Sequence, residues 1–401
     1  MTATPMPQAK RAAFILAAAQ AIVGSVPPIA ISMGALAGVY LLGADKSLAT
    51  APVSGFNIGV AVGALPAAWL ARKIGQKHAF MTGALVTSLG GAIAALALFQ
   101  GSFWLFVAAL LLLGTGGSFA QQYRFAAADN SPSSFKPQAI SWVLGGGIVS
   151  AVLGAQAVIF TKDVFLPVQF AGAYMVIILF GFVGFAILTQ LKLQIEPPKV
   201  EGIARDSGRP LGQIIAQPRF MVALLCSVGS YALMSLVMTG APLAMVGCGF
   251  SVNEATLGIQ WHVLAMFGPS FFTGSLIARY GRERVVATGL IILIGCAFVA
   301  LSGIQLWNFW LSLVLLGLGW NFGFIGATAM VTDCYRPEEK SKVQGFHDTV
   351  LFGSVASASL LSGKIFLVWG WGALNWMILP VTGLCLIALV WLSLTKRSVV
   401  A

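Results

Sequence analysis

The sequence predicts an all-α integral membrane protein with twelve transmembrane helices. Of its 401 residues, 58% are hydrophobic and only 9% are charged, whereas about a quarter of the residues in a typical soluble protein are charged. Long uncharged runs, such as 103–115 and 174–188, leave no charged surface for a soluble fold. Because one crossing of a bilayer core takes roughly 20 helical residues, these residues allow about twelve crossings and no sizeable domain outside the membrane.

Apolar stretches between polar breaks place the crossings along the chain. The first follows the polar segment 1–11, and its apolar run is too long for a signal-peptide core. The predicted helices are 12–42, 49–71, 78–99, 102–123, 138–161, 166–190, 219–246, 255–278, 285–304, 307–332, 344–367 and 371–395. The long polar stretch between the sixth and seventh helices divides the chain into a six-helix half over 1–191, a cytoplasmic linker over 192–218 and a second six-helix half over 219–401.

Basic residues are distributed unevenly between the two sides of this layout. With both chain ends in the cytoplasm, 20 of the 23 Lys and Arg residues lie in cytoplasmic segments, and only Lys46, Lys162 and Lys364 lie in outer ones. Cytoplasmic loops of membrane proteins carry an excess of Lys and Arg, so the distribution predicts a multi-pass protein of a bacterial inner membrane. The lipid surface also accounts for the net charge of +11, and no nucleic-acid partner is predicted.

Related loops follow the second helix of each half. The residues concerned are Arg72, Lys73 and Gly75 in the first half, and Gly274, Arg279, Gly281 and Arg282 in the second. Both loops resemble the signature loop of the major facilitator superfamily, although its aspartate is replaced by Arg72 and Ala278. The resemblance implies two halves that rock about a central substrate site, with a tight glycine turn and basic residues at the inward gate.

Sequence motifs of enzymes are missing. The chain has no phosphate-binding Gly-x-x-x-x-Gly-Lys-Ser/Thr, no Cys-x-x-Cys and no His-Glu-x-x-His. The sequence therefore predicts a transporter with no enzymatic activity and no prosthetic group. The polar residues Gln20, Asn57, Gln156 and Asn321 fall inside predicted helices, where we expect them to link neighbouring helices.

Two pairs of soft metal ligands fall at similar depth on consecutive helices. Met234 and Met238 on helix seven, like His262 and Met266 on helix eight, are four residues apart and share a helix face. Thioether and imidazole groups suit copper, and thioethers select Cu(I). Polar residues within a membrane helix are commonly functional, although methionine pairs more often simply fill a core. The four residues predict a copper site.

The same four positions resemble the CcoA-type copper importers of bacterial inner membranes. The resemblance implies import of copper, carried as an ion and passed to a cytoplasmic acceptor, for assembly of a cbb3-type cytochrome c oxidase. Met245 and Cys248 continue the stripe of helix seven toward its outer end and suggest an entry path. Cys226 and Cys334 lie toward the inner side, where a thiol could receive the metal, although packing is an alternative for both.

Charged residues at the inner rim are candidates for ion pairs of a gate. They are Arg124, Asp129, Asp333, His347 and Asp348. Two other functions remain open at this point. In the first, the chain carries a small organic solute or drug in an apolar cavity lined by the methionines with Trp261, Phe267 and Phe271. In the second, it is a copper sensor or an assembly scaffold that binds the metal without transport.

Overall fold

The computed structural model describes residues 6–132, 134–192 and 208–400, and the regular structure within these ranges is helical. The helices are α1 Met6–Val23, α2 Val26–Leu41, α3 Ala51–Ile74, α4 Gln76–Gln100, α5 Phe103–Ala120, α6 Tyr123–Asp129, α7 Lys136–Thr161, α8 Ala171–Thr189, α9 Leu211–Ile215, α10 Pro218–Gly247, α11 Val252–Phe267, α12 Ser270–Tyr280, α13 Arg282–Leu301, α14 Leu306–Thr332, α15 Lys340–Trp376 and α16 Ile378–Val400. One 3₁₀ turn, Pro337–Glu339, precedes α15.

The helices make twelve crossings. Ten stretches are by themselves long and apolar enough to span a membrane. The last of them, Lys342–Thr395, leaves helical geometry at Gly370 (φ 76°) and so makes two crossings. Crossing eight consists of α11 and α12, each too short to span alone. The predicted all-helical fold with two six-helix halves is therefore confirmed. The exact domain limits stay a prediction, because residues 193–207 of the linker lie outside the described ranges.

Crossing eight breaks at Pro269, which has no N–H to donate to the preceding turn. α11 ends at Phe267, and the carbonyls of its last turn need other partners because lipid supplies none. The side-chain amide of Asn321 on α14 donates to the carbonyl of Met266 at 2.6 Å and to the hydroxyl of Ser270 at 2.8 Å. Asn321 on α14 thus supplies the hydrogen bonds that crossing eight lacks at its break.

Crossings two and four approach closely because glycines face each other's backbone. A Cβ atom at Gly59 on α3 would lie 1.9 Å from the carbonyl oxygen of Leu111 on α5. One at Gly114 on α5 would lie 1.9 Å from the carbonyl oxygen of Phe56 on α3. Small residues drive helix association in membranes because they let backbones pack at short distance. Neither position has room for a larger side chain.

A single glycine forms the connection in each signature loop. Gly75 between α3 and α4 has φ 85° and ψ 152°, and Gly281 between α12 and α13 has φ 88° and ψ 156°. Glycine adopts positive φ without a steric penalty. The two loops lie on the face where the chain ends also lie, which we call the terminal side; the loops 42–50, 162–170 and 248–251 lie on the opposite side.

The two halves meet directly on the opposite side. Thr50 donates a hydrogen bond to the carbonyl of Leu360 at 3.1 Å, and Ser54 to the hydroxyl of Ser359 at 3.2 Å. Two side-chain amides, those of Gln156 and Gln260, are joined at 3.2 Å. These bonds connect crossing two to crossing eleven and crossing five to crossing eight. The structure therefore has its opposite side closed.

The end of the inter-half linker is fastened to the loop before α15. Arg209 donates from its guanidinium to both carboxylate oxygens of Glu339, at 2.9 and 2.8 Å, and its backbone N–H donates at 2.8 Å. A further bond comes from the backbone of Arg336. The Glu339 side chain is fully buried. Its hydrogen bonds with the Arg209 guanidinium hold the pKa of the Glu339 carboxyl far below its usual range.

We predict that Glu339→Gln lowers the melting temperature of the purified protein in a pH-dependent way. Because the carboxyl pKa is lowered in the folded state, its stabilisation is present above the unfolded value of about 4.3 and is lost as the pH falls toward the folded value. The melting difference between the intact protein and the variant should stay constant from about pH 8 to 5 and shrink below about pH 4. A difference of the same size at every pH would contradict this assignment; the exposed Glu338→Gln is the matched control.

Candidate functional site

The four predicted metal ligands are all buried. Met234 and Met238 lie on α10, and His262 and Met266 lie on α11. The histidine ring donates from Nδ1 to the carbonyl of Leu313 on α14 at 2.8 Å, and its Nε2 is buried without a hydrogen-bond partner among the described residues. His262 therefore links crossing eight to crossing ten. Within the described ranges, no three His, Cys, Asp or Glu residues are grouped as a metal site.

The residues of the predicted metal path lie apart in different surroundings. Met245 is fully buried, and its sulfur packs against Gly258 of α11. Cys248 is exposed just beyond the end of α10 on the opposite side. The thiol of Cys226 is buried against the backbone of Cys385. Cys334 ends α14 at the terminal side, where its carbonyl accepts from Arg209 and from Gln217.

One predicted ion-pair residue, Asp333, belongs to a network within the second half. Asp333 accepts from Arg219 at 2.8 Å and lies 3.0 Å from Arg282, and Arg219 also donates to Glu283 at 2.6 Å. These contacts join α10, α13 and α14 at the terminal side. They do not bridge the two halves, so the network stabilises one half as a rigid unit.

The remaining rim and loop residues occupy varied positions. Nδ1 of His347 lies 3.0 Å from the carboxylate of Asp348, and its Nε2 lies 3.0 Å from the hydroxyl of Ser227. Lys73 and Arg279 rest over the rings of Trp69 and Tyr280, at 4.8 and 5.2 Å. Arg72, Asp129 and Gly274 are exposed.

An aromatic cluster lies at mid-membrane depth in the second half. Its members are Tyr231 on α10, Trp320 and Phe324 on α14, and Phe352 on α15. We call these four residues the aromatic cluster. The Tyr231 ring centroid lies 5.3, 5.0 and 6.1 Å from those of Trp320, Phe324 and Phe352. Trp320 and Phe324 stack nearly parallel at 5.1 Å. Tyr231, Phe324 and Phe352 are half-buried, so the cluster has an accessible edge.

Two polar groups of this region have no partner. The indole N–H of Trp320 and the hydroxyl of Ser230 are buried without a hydrogen bond among the described residues. A buried donor without a hydrogen bond costs free energy, so each such group in a native protein calls for an explanation. Arg124 on α6 interacts electrostatically with Tyr231, although the two residues belong to different halves.

Sequence reasoning missed this cluster. The available signal was Trp320 and Phe324, four residues apart on one helix face, together with Tyr231 at matching depth on crossing seven. Aromatic residues are common in membrane helices, so the pattern gained meaning only when three helices brought the rings together. Arg124 was recognised, but as a gate residue.

The fold and the site define a membrane carrier with two similar halves and a central binding region. The chain belongs to the Major Facilitator Superfamily, whose family model matches residues 12–270 and 260–400. It is 48% identical over 385 residues to the riboflavin transporter RfnT of Brucella anthropi, covering 95% of this chain and 96% of that protein. It is 28% identical to the uncharacterized MFS-type transporter YddS of Bacillus subtilis, covering 84% of this chain and 80% of that one.

Solved structures agree on the fold. The xylose transporter XylE of E. coli, in a partially occluded inward-open conformation, superposes with a TM-score of 0.73 at 11% identity, covering 95% of this chain and 97% of XylE. The POT family transporter PepTSo superposes with a TM-score of 0.71 at 14% identity, covering 98% of each chain. At such low identity these similarities carry the fold and no substrate.

The expectation of copper import is wrong. A relative of nearly the same length and 48% identity is named for an organic solute, which favours the alternative of a small organic solute carrier. The assignments of copper as cargo and of oxidase assembly as purpose are withdrawn with it. In the structure the methionines lie in the buried core, and His262 links two helices through Nδ1.

We predict that His262→Ala destabilises the protein by about 1 kcal/mol, the scale of hydrogen bonds between membrane helices. The substitution removes the bond to Leu313 and loosens crossing eight against crossing ten. Thermal unfolding in mild detergent measures the change. His78→Ala is the control, because His78 is exposed and bonds only within its own helix region. Equal melting temperatures for both variants would show that the His262 bond contributes nothing.

Proposed function

We propose that this protein carries riboflavin, or a closely related flat heterocycle, across the cytoplasmic membrane by alternating access. The observation that carries the proposal is the identity of 48% to a riboflavin transporter over nearly the whole length of both chains. The aromatic cluster supports the same class of solute. Riboflavin joins a planar three-ring system to a flexible polyol chain, so its recognition requires aromatic surface together with hydrogen-bond donors.

The aromatic cluster offers such a surface. Offset-stacked and edge-to-face ring pairs are favourable at centroid distances of about 4.5–7 Å, and Tyr231 and Phe352 are half-buried, so part of each ring is accessible. The indole N–H of Trp320, buried in the same cluster, has no partner among the described residues. Transport then requires that the closed opposite side open while the terminal side closes, so that the solute meets one side at a time.

We propose further that the terminal side faces the cytoplasm. The support is the excess of Lys and Arg in the loops of that side, because basic loops are retained in the cytoplasm. With this orientation, the side on which hydrogen bonds join the two halves faces the outside. A net movement of solute in either direction uses the same pair of states.

We predict that expression in a bacterium that can neither make nor import riboflavin restores growth on low external riboflavin and accumulation of radiolabelled riboflavin. Tyr231→Ala should lower the initial rate of uptake, measured at a riboflavin concentration below saturation, by about tenfold. This is the scale of one or two lost aromatic contacts. Phe298→Ala is the matched control, because this exposed side chain lies on α13 outside the cluster.

Uptake no higher than with the empty vector, at verified membrane levels, would overturn the riboflavin proposal. Equal losses in Tyr231→Ala and Phe298→Ala would instead remove the aromatic cluster from the binding site. Excess unlabelled xylose or dipeptide should leave uptake unchanged, because neither presents a planar ring system to the cluster.

We predict that a membrane-impermeant maleimide labels the protein in intact cells at Cys248. This thiol is exposed on the opposite side, whereas Cys226, Cys296, Cys334 and Cys385 are buried. Cys248→Ser should abolish the labelling. Labelling that appears only after the cells are broken open, and that Cys248→Ser removes, would reverse the orientation.

A further inference from the structure

Arg124 is a charged residue near the terminal-side end of crossing four. It lies on α6, the short helix that ends crossing four beyond the break at Gln121 and Gln122. The residue is exposed, and its guanidinium lies 4.8 Å from the ring centroid of Phe125. Charged side chains within crossings are costly, and they mark functional sites when they face an internal space.

The groups that face Arg124 come from the other half. Tyr231 of the aromatic cluster and Asp348 on α15 are both within Coulombic range of its guanidinium. Among the described residues, however, no hydrogen bond and no ion pair within 4.0 Å engages Arg124. The carboxylate of Asp348 instead lies 3.0 Å from Nδ1 of His347. The five N–H donors of this exposed guanidinium therefore have no acceptor among the described residues.

We infer that Arg124 selects the solute by donating to a hydrogen-bond acceptor edge of the planar ring system, while the aromatic cluster holds the ring faces. The inference rests on the proposed function and names the group that recognises the polar edge. A planar guanidinium presents its donors as a fork, which matches two neighbouring acceptors in one plane. The pyrimidinedione ring of a flavin has such acceptors in its carbonyl oxygens and ring nitrogen.

The nearby carboxylate sets the charge of the preferred solute. Asp348 offsets part of the positive charge of Arg124 without occupying its donors. Because the two opposite charges largely cancel, an anionic solute would gain little net attraction, whereas a neutral ring with strong acceptors would still gain the donors. The geometry thus favours the uncharged heterocycle over its phosphorylated form.

The position of Arg124 also links binding to rocking. Arg124 belongs to the first half, and the aromatic cluster belongs to the second. A solute held by both touches the two moving bodies at once. Binding can shift the equilibrium between the two states only through such contacts that differ between them.

The experiment compares three ligands by equilibrium dialysis against the purified protein in detergent. Riboflavin has the full structure, lumichrome keeps the pyrimidinedione ring without the polyol chain, and phenazine has three fused rings without carbonyl groups. Arg124→Gln should weaken riboflavin and lumichrome by roughly ten- to hundredfold, the scale of a lost hydrogen bond to a charged group. Phenazine should change by less than about twofold. Arg124→Lys should recover part of the loss.

Arg284→Gln is the matched control, because this exposed arginine lies at the start of α13 away from the cluster. The melting temperature of each variant is measured first, and affinities are compared only among variants whose melting temperature equals that of the intact protein. In addition, Asp348→Asn should raise the affinity for riboflavin 5′-phosphate relative to riboflavin. If Arg124→Gln lowered the affinity for all three ligands equally, or for none of them, the inference would be overturned. It would also be overturned by an intact protein that binds lumichrome no better than phenazine.

These outcomes are separate from the test of the proposed function. Absence of riboflavin uptake by the intact protein overturns the carrier proposal, whatever Arg124 does. Riboflavin uptake that Arg124→Gln leaves unchanged, together with unchanged lumichrome binding, overturns the inference about Arg124 and leaves the carrier proposal standing.

Discussion

Over most of its length the backbone of this chain has no water to bond with, so each N–H and C=O needs a partner inside the protein. This constraint forces the twelve crossings to be helical and makes every break in a helix a place that needs support. At Pro269 the support is Asn321, which donates to the carbonyl of Met266 from the neighbouring helix. At the break in crossing four, the N–H groups of Gln121 and Gln122 instead donate to the carbonyls of Gly117 and Phe119 in the preceding turn.

Close packing follows from the same constraint. Lipid gives no hydrophobic advantage for one apolar helix touching another, so helices are held by surface fit and by hydrogen bonds between them. Gly59 and Gly114 bring crossings two and four into backbone contact. His262 and Asn321 add bonds from crossing eight to crossing ten. Between the halves, by contrast, the hydrogen bonds described above are few: Thr50 to Leu360, Ser54 to Ser359 and Gln156 to Gln260.

A buried histidine such as His262 can serve either as a metal ligand or as a link between helices. A buried imidazole next to methionines has the chemistry of a copper site, and the same imidazole is equally able to join two helices through one ring nitrogen. The spacing of residues along one helix does not distinguish these roles, because the deciding partner, the carbonyl of Leu313, is a backbone group on a helix distant in sequence. The 48% identity to a protein named as a riboflavin transporter favours an organic solute over copper.

By itself the sequence determined the helical class, the twelve crossings and the two halves, because apolar length and charge distribution respond directly to the bilayer. It also predicted that Gln156 and Asn321 link helices, as their bonds to Gln260 and to Met266 bear out. Only the tertiary structure placed Tyr231, Trp320, Phe324 and Phe352 together and set Arg124 opposite them. The reason is physical: burial in lipid is a local property of each segment, whereas a binding site depends on which faces of distant helices meet.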